Sequence, residues 1–135
     1  MRSISPSLTL FINLTKAFTE STRRFSGGLD GMGFNEFTIL FHLAHTPEKK
    51  MRRIDLAEKI GITASGITRL LAPMEKIGLV KRQAASRDAR VSLVAITPSG
   101  ERNLKESMER AEQMAEKIFP HDTIKKLPEF LNLFK

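Results

Sequence analysis

The residues of this sequence best suited to chemistry are bases and small hydroxyls, and they are clustered. Between Lys49 and Arg90 lie eleven bases and four acids, so the segment nets +7, the formal charge of the whole 135-residue chain. Charge segregated in this way suits a polyanion on one side of the molecule. Inside the segment, a helix opening after Thr63 places Ala64, Ser65, Thr68, Arg69 and Ala72 opposite Ile67, Leu70, Leu71 and Met74. A helix that enters the DNA major groove needs this division. Its apolar face holds it on the domain while small polar residues near its N-terminus approach base edges.

Each residue then has a chemical expectation. Thr63 caps the helix, whose N-terminal N–H groups favour phosphate. Gly66 lowers helix propensity but permits close backbone approach. Ser65 and Thr68 are adaptable donors or acceptors, and Arg69 can donate two bonds to guanine or one to a nearby phosphate. Arg52, Arg53, Lys81 and Arg82 flank the helix and are read as phosphate contacts, which position without specifying. Farther on, Arg87, Asp88 and Arg90 fall at a hairpin tip, where an arginine suits the negative potential of a narrow minor groove. Asp88 fits there as a local partner that orients an arginine. Either Arg90 reaches the groove, or it pairs with Asp88 and leaves Arg87 at the tip.

The elements that must position these residues can be read from caps, stops and periodicity. Ser5 caps a first helix with Pro6 at its opening position. Phe11, Leu14, Phe18 and Phe25 form its stripe, and Leu8, Leu10 and Ile12 make it apolar over much of its girth. One such helix cannot bury so much, so a second subunit is expected against it. Gly27, Gly28, Gly31 and Gly33 read as a linker, since they follow no strand. A second helix covers about Phe34 to His45, with Phe37, Leu40, Phe41 and Ala44 inward. A third covers about Ile54 to Ile60 and stops at Gly61. The fourth follows Thr63 and ends by Gly78, with Pro73 inside it.

Two strand-like runs, Leu79–Arg82 and Val91–Ile96, flank a polar tip from Gln83 to Ala89. Thr97-Pro98 restarts a helix whose stripe is Leu104, Met108, Ala111, Ala115, Ile118 and Phe119. Pro120 breaks it. A last helix is expected over about Asp122 to Phe134, carrying Leu127, Phe130, Leu131 and Phe134.

Composition narrows the function classes. There is no cysteine, which removes thiolate metal sites, catalytic cysteine and disulfides and suits a cytoplasmic protein. No run reaches the roughly 18–20 apolar residues of a membrane span, and the first residues lack a signal-peptide pattern. No glycine-flanked serine or paired carboxylate motif points to catalysis, so no enzyme and no cofactor are expected. His42 and His45 share a helical face with Glu36 nearby, which leaves a metal-responsive regulator as an alternative.

The ordered set Leu56–Thr63, Thr68–Leu71, Met74–Arg82, Asp88-Ala89-Arg90 and Ile96–Gly100 resembles the MarR family of winged helix-turn-helix transcriptional regulators. The resemblance runs from about Phe34 to Ile118. It implies that the helix Thr63–Ile77 enters the major groove, that Asp88-Ala89-Arg90 belongs to the wing, and that the terminal helices interlock in a homodimer. It also implies a small anionic or aromatic effector between the dimer and DNA-binding parts. Two departures stand out. The family's wing usually reads Asp-Arg-Arg, where this chain has Ala89, and Arg52 stands where a Ser or Thr cap is usual.

The expected architecture is therefore mainly α with a small β-hairpin wing: a winged helix-turn-helix over residues 34–97, with dimerisation helices at 5–26 and 98–135. The expected interface residues are Phe11, Leu14, Phe18, Met108, Ile118, Phe119, Leu127, Phe130, Leu131 and Phe134. The expected partners are double-stranded DNA, a second copy of the chain and a small effector, with no membrane. A repressor acting on a pseudo-palindromic operator is the expected regulator; the alternative is a constitutive DNA-binding or architectural protein without an effector.

Overall fold

Helix caps written in the sequence open the main elements of the computed structural model, which describes residues 3–85 and 88–135, with the backbone alone for Ala85 and for 88–90. Ser5 accepts from the Leu8 N–H at 3.1 Å, and helix α1 runs Pro6–Gly27. Helix α2, Phe34–Ala44, starts at Gly33, whose N–H donates to Glu36 Oε2 at 3.3 Å. Strand β1 is Lys50–Arg52, followed at once by α3, Arg53–Ile60. Gly61 ends α3 at φ 74, a conformation that a side chain would strain. Helix α4, Ala64–Lys76, begins at Thr63, whose hydroxyl accepts from the Gly66 N–H at 3.0 Å. It runs on through Pro73 for three residues.

Strands β2, Val80–Ala85, and β3, Asp88–Ile96, follow, then α5, Pro98–Ile118, and the short helices α6, His121–Ile124, and α7, Pro128–Asn132. Among the described residues no helix is long and apolar enough to cross a membrane.

The chain divides into two compact units, Met32–Glu109 and Met1–Gly31 with Arg110–Lys135. In Met32–Glu109, β3 is the central strand of an antiparallel sheet ordered β1-β3-β2. Its register sets Val80 opposite Ile96, Arg82 opposite Val94, and Met51 opposite Val94 on the other edge. Val94, Ala95 and Ile96 are all buried, as expected of a strand covered on both faces. Around them lie Ile39, Leu40, Leu43, Leu56, Ile67, Leu71 and Met74. Each such side chain contributes about 1.5–3 kcal/mol by leaving water. In the other unit Phe25, Leu29 and Ala111 are buried, and Arg110 pairs with Asp30.

Four expectations need correction. A third strand, β1, joins the hairpin. Its three residues are too few to show alternation, and they pair because β3 has a free edge. Strands β2 and β3 extend into the stretch read as a polar tip, leaving only Ser86 and Arg87 between them, outside the described residues. The inward face of α2 is Phe37, Ile39, Leu40 and Leu43, with Phe41 and Ala44 only half-buried. The single helix expected over 122–134 is two short ones. Pro128 lacks an N–H for the Ile124 carbonyl, which accepts from the Leu127 N–H at 3.1 Å instead, and a new helix starts at Pro128.

One junction ties the sheet to α5. The Thr97 hydroxyl donates to the Gly78 carbonyl at 2.6 Å and accepts from the Gly100 N–H at 3.0 Å. The Thr97 N–H donates to the Leu79 carbonyl at 3.1 Å. Gly100 is buried against that same carbonyl, and a Cβ there would strike the Leu79 oxygen and lie 2.8 Å from Ile96 Cγ1. Backbone cannot step aside as a flexible side chain can. Gly100→Ala is therefore expected to destabilise the protein by about 2 kcal/mol or more, measured as a lowered urea midpoint at unchanged slope.

Candidate nucleic-acid interface

Helix α4 presents one face to solvent and buries the other. Ile67, Leu71 and Met74 are buried and Leu70 is half-buried, while Thr63, Ala64, Ser65, Thr68, Arg69 and Ala72 are exposed. The residues read as base-facing therefore share one accessible surface, starting at the helix N-terminus. At that end Thr63 Oγ1 lies 3.2 Å from Ser65 Oγ. The space left by Gly66 is taken up inside the protein, since a Cβ there would sit 3.1 Å from Thr63 Oγ1 and against Ile62.

The bases flanking α4 differ in how free they are. Lys81 is exposed on β2. Arg52 grips Asp55 with two bonds, Nε to Oδ2 at 2.9 Å and a terminal nitrogen to Oδ1 at 3.1 Å. This pair stands where a side-chain cap for α3 is missing, and it sets a carboxylate in the first turn, where the helix dipole favours one. Among the described residues, Arg53 is the most enclosed of the predicted contacts. Its side chain is 17% exposed, Nη1 donates to Thr68 Oγ1 at 3.3 Å, and Nη2 lies 3.5 Å from Glu75 Oε1. Arg82 Nε lies 3.8 Å from the same Glu75 oxygen but keeps its side chain 64% exposed. This three-charge group was not anticipated. Its only signal in the sequence is an acid within a basic run.

Arg87 lies outside the described residues, as do the side chains of Asp88 and Arg90. The two histidines are placed. His45 Nδ1 is 2.8 Å from the Phe41 carbonyl, and its ring lies 4.2 Å from that of Phe41. Burial, then the charge of Lys59, then His45 hold the His42 imidazole below its ordinary pKa. Glu36 is occupied as the cap of α2. Among the described residues no group of three acids or histidines could hold a metal ion.

The MarR family model matches residues 34–92, which cover α2, β1, α3, α4, β2 and the start of β3. Residues 34–92 thus match the MarR family. The HTH-type transcriptional regulator PapX of Escherichia coli is 26% identical over 93 residues, 69% of this chain and 56% of its own length. The chain spans about half the length of the curated relatives it matches. Among solved structures, the transcriptional regulator BldR of Sulfolobus solfataricus is 28% identical with TM-score 0.83, covering 99% of this chain and 97% of that one. A mutant Escherichia coli MarR solved with operator DNA shares the fold at TM-score 0.82 and 16% identity, over 93% of each chain.

Within residues 34–92, the Arg52–Asp55 pair gives a pH dependence with a definite sign. The hydrogen bonds from Arg52 are the main cause holding the Asp55 carboxyl below its ordinary pKa; burial opposes them and the Arg52 charge adds to them. The stability it contributes is present above the ordinary carboxylate pKa and is lost as pH falls through the lowered one. Asp55→Asn should lower the melting temperature at about pH 7 and leave it nearly unchanged at about pH 2, a contrast that thermal melts at the two pH values will show.

Proposed function

We propose that this chain is a sequence-specific DNA-binding transcriptional regulator that acts as a homodimer on a pseudo-palindromic operator, represses, and is released by a small anionic or aromatic effector. The observation that carries the reading is the exposed run Thr63–Arg69 on a helix whose other face is buried, inside the segment that holds the chain's whole net charge. Helix α4 would lie in the major groove, with Thr63, Ala64, Ser65, Thr68 and Arg69 toward the bases. Lys81 and Arg82 would lie toward phosphates, Arg52 and Arg53, paired with Asp55 and Glu75, would add to the long-range attraction, and Arg87, Asp88 and Arg90 would form the wing. Two such helices would stand about one DNA turn, roughly 34 Å, apart.

The dimer is supported by surface that one chain leaves open. Phe11 is 73% exposed and Phe18 63%, and Leu8, Leu10 and Ile12 on α1 are exposed as well. The hydroxyls of Thr9, Thr15, Thr19 and Thr22 donate to carbonyls four residues back, at 3.0–3.2 Å. Their polarity is thus spent within the helix, and α1 is more apolar outside than its composition suggests. Toward the C-terminus, Phe119, Leu131 and Phe134 are exposed, and Met108, Ile118, Leu127 and Phe130 are half-buried. Isolated apolar residues on a surface need no explanation, but this many on one helix do.

A duplex selected by the protein from a random pool, assayed by band shift with and without aromatic carboxylates, tests this reading. Binding should weaken steeply as salt rises, because several phosphates are neutralised per dimer. Arg90→Ala should cost roughly 1–3 kcal/mol of affinity at fixed salt, and unchanged affinity would remove the wing from the site. Phe18→Asp should halve the mass seen by light scattering. An undiminished mass would refute the assignment of α1 to the dimer.

A further inference from the structure

The Arg53–Glu75–Arg82 group lies behind the recognition face, and one of its members touches that face. Arg53 enters from the first position of α3, Glu75 from the last turn of α4 and Arg82 from β2, so one carboxylate oxygen joins three elements. Glu75 Oε1 and Arg53 Nε are buried and make no hydrogen bond. The attraction between them is therefore that of charges at 3.5 Å, strengthened by partial burial. Breaking such a pair from one side leaves the other charge uncompensated, so Arg53 has reason to stay where it is. The position it is held in puts Nη1 on the Thr68 hydroxyl at 3.3 Å.

Thr68 is then nearly used up as a polar group. Its single hydroxyl hydrogen goes to the Ala64 carbonyl at 3.1 Å, and one of its two lone pairs receives Arg53. What remains to offer a partner is the methyl group and one acceptor lone pair, with no donor. The reading of Thr68 as an adaptable donor or acceptor narrows accordingly. A residue in this state cannot donate to guanine O6 or N7, but it can pack on the thymine methyl or accept from an exocyclic amine.

We propose that Glu75 is a positioning residue for base discrimination: by holding Arg53 on the Thr68 hydroxyl, it makes Thr68 read DNA through its methyl group. This rests on the DNA-binding reading above. Glu75 meets no base itself. It acts through Arg53, and Arg82, on the same oxygen, couples the arrangement to the base of the wing.

The test is a selection from a random duplex pool, followed by affinities for single-base variants of the sequence that the wild type enriches. Glu75→Gln is expected to change the preference at one base position per half-site by roughly tenfold and to leave the ratios at other positions as they were. Thr68→Ser, which loses the methyl, should lose more of the preference at that same position than Thr68→Val, which keeps it. If Glu75→Gln does not fold, Arg53→Lys takes its place, since it keeps the charge but lacks the fork that reaches both Glu75 and Thr68. A uniform loss at every position, or a larger loss from Thr68→Val than from Thr68→Ser, would overturn the proposal. A wild type that enriches no sequence would overturn the DNA-binding reading and this inference with it.

Discussion

The burial of one face of α4 is the constraint on which the recognition surface depends. Ile67, Leu71 and Met74 recur at helical spacing and all lose contact with water. With that face fixed to the core, the helical period leaves no freedom for the rest. Thr63, Ala64, Ser65, Thr68, Arg69 and Ala72 must face outward together. The surface is thus a consequence of packing on its opposite side, and its alignment is only as firm as that packing.

The rest of the Met32–Glu109 unit holds the neighbours of α4 in place by the same logic. Strand β3 carries β1 on one edge and β2 on the other, so the segment before α3 and the start of the wing hang from one buried strand. Thr97 and Gly100 then lock the first turn of α5 to Gly78 and Leu79, at the turn between α4 and β2. Short-range hydrogen bonds do the final positioning, but only because apolar burial has brought their partners together.

The structure also changes the meaning of the +7 charge. Counted from the sequence, the segment's bases are equivalent. In the fold, Arg52 serves Asp55, Lys49 pairs with Glu101, and Arg53 sits with Glu75. Among the described residues, Arg69 is exposed on the recognition face and Lys81 on β2, and neither is held in an ion pair. A net charge sets the long-range attraction to a polyanion, whereas local pairing decides which cations meet it directly.

Local chemistry made much of this protein legible in its sequence. Ser5, Thr63 and Thr97 each begin a helix because a side-chain oxygen can satisfy a free N–H within three residues, and Gly61 ends one because it tolerates positive φ. The face of α4 followed from spacing alone. Pro128 is equally local evidence, and a separate short helix begins at it. Strand β1, the register of β3 and the Arg53–Glu75–Arg82 group could be decided only in three dimensions. Each joins residues far apart in the chain, and no periodicity in one segment encodes which distant partner will complete it. The sequence by itself determined which helices form and which face of α4 is polar. The tertiary structure determined which of those polar groups remain free to act, because a hydroxyl or a guanidinium is spent or spared by neighbours that only folding brings close.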